Sequence, residues 1–380
     1  MPLVRFPYIN EENEIYDYES FWEWFEEHHS WFHYMLQKNR TPDGEFYTIF
    51  RSRLDKVNKE LSFAMGFLDD GTIELVFVVQ SLIKNIVFAE ELAAAAPALP
   101  GWKFTGLMQE VAPHKLVNRD DASFTLNDVA FISTEHPDLP DLIDITLIFK
   151  KRQKDEETLR TEFACYNFVM QLIGELEMLT MIDQMNIREY KAGDPDLIPI
   201  TKLKDFLHWR EKEFVEKYKD VKRDDNKDAE DKHAVMDVAP VDGGLPIKMN
   251  IPNRYLLCRE ETVPYPWISS VHIKFEGSAL DGLADYETSE KIKTFELELS
   301  VAVEMYAKGQ LELFSTTSNG NYTIIFAGNE FREISKVIEE TIAMYAEGLA
   351  ITYIIVKDKY WNSINIVRKA CMNNGGTFTA

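Results

Sequence analysis

Cysteine is scarce in this chain: Cys165, Cys258 and Cys371 stand far apart, odd in number and without CxxC spacing. That excludes a secreted disulfide scaffold and a cysteine-built zinc fold, and it points to a reducing compartment, with the cytoplasm as the expected location. Long apolar runs are missing as well. The longest, Ile86 to Leu99, contains Glu90 and Glu91 and is interrupted by Pro97, well short of the ~20 residues that cross a bilayer. The opening segment, MPLVRFPYINEENEIYDYES, turns acidic at once, so no signal peptide is expected. Glycine-rich phosphate cradles are lacking, with neither GxGxxG nor GxxxxGK[ST], and there is no GxSxG nucleophile elbow.

Positive charge is in deficit. Against 64 acidic residues stand 41 basic ones, a formal net charge of −23. Such a field repels phosphate backbones and anionic membrane surfaces, so neither direct nucleic-acid binding nor membrane association is expected. The densest basic cluster, Lys150-Lys-Arg-Gln-Lys154, runs straight into Asp155-Glu-Glu157 and reads as the solvated start of a helix.

What is present is ample material for folded cores. The 380 residues include 24 Phe, 16 Tyr and 7 Trp, and 45% are hydrophobic, which favours two to three domains over one core or overall disorder. Ser20 to Lys38 has a helical apolar face, with Ser20 as its expected cap, and a second helix follows from Glu45 to Leu61. Phe63–Phe67 and Ile73–Val79 are β-rich runs joined by Asp69-Asp-Gly71, a turn in which glycine accepts positive φ. Ile83 to Ala96 is an expected helix. Trp102–Met108, Asp128–Ser133 and Leu142–Phe149 are expected strands, and Glu156 to Leu176 is expected as one long helix. Thr201 to Tyr218 is an amphipathic helix carrying Leu203, Phe206, Leu207, Phe214 and Tyr218. The run Lys219 to His233 has almost no apolar content and cannot build a core.

Beyond it, Trp267–Phe275 alternates as a strand. A helix capped by Ser289 presents Ile292, Phe295, Leu299, Val303 and Tyr306. Strands Leu311–Thr316 and Tyr322–Phe326 flank Asn319-Gly320, a helix presents Ile334, Val337, Ile338, Ile342 and Tyr345, and Ala350–Val356 is a last strand. The order β-α-β-β-α-β is the split unit of ferredoxin-like folds. The expected class is therefore α+β. Residues 1–200 form a larger N-terminal α+β domain, 201–250 a helix and charged connector, and 251–380 a C-terminal ferredoxin-like domain with an antiparallel sheet.

Few residue clusters suggest chemistry. His29 and His33, four apart on a helix, put two imidazoles on one face beside Glu26, a spacing used by divalent metals, but HExxH is absent and no third ligand suggests itself. Neither a metal nor a cofactor is expected. Paired carboxylates such as Glu90-Glu91 and Glu339-Glu340 are common in so acidic a chain and carry no weight. Cys165 falls in an aromatic-rich helix and reads as core, and no cysteine lies in an evidently electropositive setting. Trp361, after the final strand, has two readings: a side chain folded back over the sheet edge, or an exposed anchor for a partner.

The pattern Gly309…Ser318-Asn-Gly-Asn-Tyr322-Thr-Ile-Ile-Phe, then Phe331-Arg, Tyr353 and Asp358-Lys-Tyr-Trp361, resembles a bacterial domain-of-unknown-function family, DUF six-nine-five. That family is similar to the ribonuclease-activity regulator B proteins, small acidic ferredoxin-like proteins that bind and inhibit a ribonuclease. The resemblance covers roughly Trp267 to Ile366. The stretch from Phe21 to about Tyr218, with Glu91-Leu-Ala-Ala-Ala-Ala-Pro97 and Gly101-Trp-Lys-Phe104, looks like the half that accompanies the domain. It implies a fold and an interaction role, and supplies no catalytic residue. The expected function is non-enzymatic binding of a protein partner with a basic surface, with Asp358, Tyr360 and Trp361 as candidate partner-binding residues. Two alternatives stay open: an enzyme or small-ligand binder with its site between the domains, and an oligomerising module.

Overall fold

The computed structural model describes residues 8–9, 15–39, 44–112, 125–150, 158–219, 232–238, 247–259, 261–278 and 281–373. The basic cluster beyond Lys150, most of the charged connector and the Gly243-Gly244 loop lie outside them. The chain is mixed α+β and divides into two compact units, Met1–Lys219 and Asp220–Ala380. Among the described residues no helix is long and apolar enough to cross a membrane.

The first unit opens with the short pair β1 (Tyr8–Ile9) and β2 (Ile15–Tyr16), followed by α1 (Tyr18–Asn39) and α2 (Gly44–Asn58). Asp17, not Ser20, caps α1: its carboxylate accepts both the backbone N–H and the hydroxyl of Ser20, each at 2.8 Å. A carboxylate at this position meets orphan N–H groups and the positive helix end together. β3 (Ser62–Phe67) and β4 (Ile73–Val78) form an antiparallel hairpin, and β5 (Trp102–Gly106) joins β4 in parallel after α3 (Ile86–Ala94). Phe21, Phe25, Phe32, Phe50 and Phe77 are fully buried among these elements, mostly in edge-to-face contacts.

A second sheet of the same unit runs β8-β7-β6-β9. It comprises β6 (Val129–Thr134), β7 (Asp144–Phe149), β8 (Gln184–Glu189) and β9 (Ile198–Pro199). Its crossover is α4 (Thr158–Ile173) and α5 (Glu175–Met181), and α6 (Leu203–Tyr218) closes the unit. The single long helix expected over 156–176 is broken at Gly174, which adopts φ 90°, a conformation that favours glycine. The break turns Glu175 inward, where its carboxylate accepts the backbone N–H groups of Val79 and Met108, both at 3.0 Å. Burial raises the Glu175 pKa above the ordinary carboxylate value. Because Val79 follows β4 and Met108 follows β5, this side chain ties the first sheet to α5 beside the second.

The second unit holds β10 (Ala234–Val238), β11 (Ile247–Ile251), α7 (Arg254–Leu257), β12 (Trp267–Lys274), α8 (Tyr286–Tyr306), β13 (Gln310–Ser318), β14 (Asn321–Gly328), α9 (Arg332–Tyr345), β15 (Ala350–Lys357) and α10 (Asn365–Asn373). The sheet order is β10-β11-β13-β14-β12-β15, antiparallel throughout. β10 and β11 extend the sheet past the strands expected from the sequence. The segment 201–250 thus divides: Leu203 and Leu207 of α6 are buried in the first unit's core, whereas β10 and β11 belong to the second unit.

Alternation along the strands assigns the two faces of this sheet. Tyr322 reaches Glu296 of α8 and Tyr353 reaches Ser335 of α9, so this face lies beneath those helices. Ile268, Ile325 and Ala327 face the other way and cluster with Leu257, Trp361, Ile364 and Cys371. Asp285, not Ser289, caps α8 by accepting the Thr288 N–H at 2.8 Å. At the β13–β14 turn Gly320 has φ 75°, and a Cβ there would sit 2.7 Å from the Phe275 carbonyl oxygen. Only glycine fits.

Candidate functional site

The residues singled out at the C-terminal Asp-x-x-Trp are structural. Trp361 is fully buried, and its indole N–H donates to the Tyr265 carbonyl at 2.9 Å. It is therefore no exposed anchor; packing over the open sheet face satisfies the large ring and its one donor together. Asp358 accepts the backbone N–H groups of Asn362 and Ser363 at 2.9 and 2.7 Å and the Ser363 hydroxyl at 2.7 Å, capping the turn that leads into α10. Tyr360 is half-buried and its carbonyl receives Arg368. Together these three residues fasten the C-terminal helix.

The histidine pair also does other work. The Nδ1–H of His29 donates to the Glu26 carbonyl at 2.6 Å, and His33 lies against Gly101, where a Cβ would come within 2.6 Å of its Nε2. Among the described residues no group of three His, Cys, Asp or Glu side chains is placed to hold a metal ion. Cys165 is buried in the core of the first unit, and burial pushes its thiol up to about 12.

The first unit contains a groove of about 720 Å³ between the end of β6, the loop 135–142, the loop 195–198 and one side of α6. Phe206, half-buried against Phe131 with ring centroids 5.5 Å apart, forms part of its lining. Trp209 stands at the mouth with 52% of its surface exposed. Pro137, Pro140 and Pro195 supply rigid apolar walls, and Glu135 and Asp196 supply exposed carboxylates. Neither carboxylate has a cationic partner among the described residues. A second hollow of about 390 Å³ adjoins along α6, shares Pro140 and Arg210, and adds Glu213, Phe214 and Glu216.

Three polar connections hold the groove in shape. His136 donates from Nε2 to Asp144 at 2.7 Å, fixing the start of the first loop to the start of β7. Arg210 donates to the Pro140 carbonyl at 2.5 Å and lies 3.6 Å from Glu213, so its charge is already engaged. Arg188 forks onto Asp194 at 2.9 and 2.7 Å, and Asp194 also accepts the Lys191 N–H at 2.8 Å. That pairing lowers the Asp194 pKa to about 2 and pins the second loop at its base.

Chemically, the groove combines a half-exposed indole, with the Arg210 guanidinium 5.9 Å from its ring centroid, and carboxylates without a cationic partner among the described residues. An indole face attracts cations through its quadrupole, and flanking carboxylates add charge-assisted hydrogen bonds. Ser133 and Thr134 line the groove, but neither is hydrogen-bonded to His136, so the His136–Asp144 pair activates no hydroxyl in this arrangement. Sequence reasoning missed the site. Its available signals were Trp209, which falls off the apolar face of α6, and the closely spaced Pro137 and Pro140.

No family model, curated protein or solved structure matches this chain.

Proposed function

We propose that this protein is a non-enzymatic binding module whose groove on the first unit receives a basic segment of a protein partner. The observation that carries this reading is the exposed Trp209 set among Glu135, Asp196 and proline walls. The net charge of −23 supports it, since a negative field accelerates encounter with cationic partners and disfavours nucleic acids and anionic membranes. A reducing, cytoplasmic setting fits the unpaired cysteines.

The order β15-β12-β14-β13, with α8 and α9 on one face, supports reading residues 267–357 as a ferredoxin-like unit to which β10 and β11 are appended. That reading agrees with the resemblance to the DUF six-nine-five family and, through it, with an interaction role. A second reading, an acid–base enzyme, draws on the His136–Asp144 pair inside the groove.

A synthetic peptide of alternating arginine and small residues, labelled with a fluorophore, tests the proposal by anisotropy. Binding that weakens with salt and falls about tenfold in Trp209→Ala, the size of a modest hot spot, is the expected result. Equal binding by wild type and Trp209→Ala would reject the groove. Turnover of an ester or amide substrate, lost in His136→Ala, would favour the enzyme.

A further inference from the structure

Cys258 and Cys371 are remote in sequence, yet folding brings their surroundings together. Cys258 follows α7 and is exposed. The guanidinium of Arg368, on α10, donates to the carbonyl of Leu257 at 3.2 Å and to that of Arg259 at 2.6 Å. It therefore brackets Cys258 from both sides. Cys371 lies one helical turn beyond Arg368, and residues three apart on a helix share a face. Its side chain is buried in the same cluster as Leu256 and Leu257, the two residues before Cys258. Cys258 is within electrostatic reach of both the Arg368 guanidinium and the Cys371 thiol.

The two thiols differ in the way a reactive and a resolving cysteine differ. Cys258 has access to solvent and the Arg368 guanidinium held beside it by the flanking carbonyls. Cys371 is sheltered, and burial pushes its thiol up to about 11, so it stays protonated and unreactive toward oxidants in solution. The electropositive setting that no cysteine shows in the sequence is built here by a residue from another helix.

We infer that Cys258 is a peroxide-reactive site and Cys371 its resolving partner, together forming a disulfide that ties α10 to α7. In the first step the Cys258 thiolate attacks one peroxide oxygen and the O–O bond breaks. Hydroxide leaves and takes up a proton, giving water and a sulfenic acid on Cys258. In the second step the Cys371 sulfur attacks the sulfenyl sulfur and the S–O bond breaks. The departing hydroxide takes the Cys371 proton as water. Overall two thiols lose two electrons, and one hydrogen peroxide becomes two waters.

The test uses the full reduced chain, treated with stoichiometric hydrogen peroxide, alkylated, and mapped by mass spectrometry without reduction. The expected product is an intramolecular Cys258–Cys371 disulfide, with Cys165 alkylated only after denaturation. In Cys371→Ser the sulfenic acid persists on Cys258 and is trapped by dimedone, and in Cys258→Ser the oxidation of Cys371 slows at least tenfold. A wild-type product that is a Cys258-linked dimer, a sulfinic acid on Cys258, or an unmodified chain overturns the inference. The wild-type measurement needs no variant, so a folding defect cannot obscure it.

Discussion

Two tryptophans, one in each unit, take opposite roles. Trp361 follows the last strand in a polar turn, Asp358-Lys-Tyr-Trp, where the sequence leaves both a folded-back ring and an exposed anchor open, and it is fully buried. Trp209 sits on an amphipathic helix but off its apolar face, and half of its surface faces solvent. The difference lies in what each indole N–H and ring can reach. Trp361 adopts φ 54°, a left-handed turn that swings the ring back over the sheet to a carbonyl partner. Trp209 lies off the stripe occupied by Leu203 and Leu207, so helix geometry alone keeps it outside. Tryptophan in a loop can be cement, and tryptophan on a helix can be a binding surface.

The largest expected effect separates the two. Trp361→Ala removes a fully buried ring and its hydrogen bond, and should destabilise the second unit by about 3–5 kcal/mol, read by denaturant melts. Trp209→Ala should change stability by less than about 0.5 kcal/mol, as surface substitutions do, while weakening the basic peptide about tenfold. Similar melting shifts for the two variants would break the comparison.

Next in size is the Glu175 tie within the first unit. Glu175→Ala leaves the N–H groups of Val79 and Met108 without their acceptor, and each buried donor left unmet costs about 1–3 kcal/mol. Glu175→Gln keeps one acceptor oxygen and should lose less. The ranking Ala below Gln below wild type, measured by urea denaturation, checks the role.

Much of the second unit was legible because local and tertiary demands agree there. The helices α8 and α9 each display a complete apolar face, and Asn319-Gly320 supplies a tight turn whose geometry no other pair of residue types meets as easily. Less was legible at the edges. β8, with sequence Gln-Met-Asn-Ile-Arg-Glu, has only Met185 and Ile187 as apolar residues, too few for a period to stand out. β10 and β11 follow a highly charged run and gain their strand character from pairing, β11 with β13 and β10 with β11. The break at Gly174 interrupts a helical pattern that continues through it, and its cause is the remote backbone that Glu175 engages. The groove was not legible, because residues 132–142, 195–198 and 206–210 are unremarkable one at a time and meet only in the fold.

Two smaller effects have opposite pH signs and sharpen the contrast between the units. In the second unit burial raises the Glu312 pKa, with Ser300 opposing and the Glu296 charge adding. A raised carboxylate pKa means that folding favours the protonated form. Stability from this group is therefore present at low pH and is lost as pH rises from the ordinary value of 4.5 through the folded one. Glu312→Gln should raise the melting temperature near pH 7 and flatten this slope. In the first unit Asp194, lowered to about 2 by Arg188, contributes above its ordinary value of 3.8 and loses that contribution as pH falls toward 2. Asp194→Asn should lower the melting temperature above about pH 4 by the smallest amount of the set, and the gap to wild type should close as pH falls toward 2, followed by thermal melts between about pH 2 and 7.

The central claim, that the groove around Trp209 binds a basic segment, is tested most directly by titrating the arginine peptide against wild type, Trp209→Ala and Glu135→Gln/Asp196→Asn at low and physiological salt. The account predicts saturable binding to wild type, loss of about tenfold in affinity in each variant, and a salt dependence that is reduced in the carboxylate variant because its counter-charges are gone. Binding of equal strength to all three proteins, or no saturable binding to wild type, would contradict it.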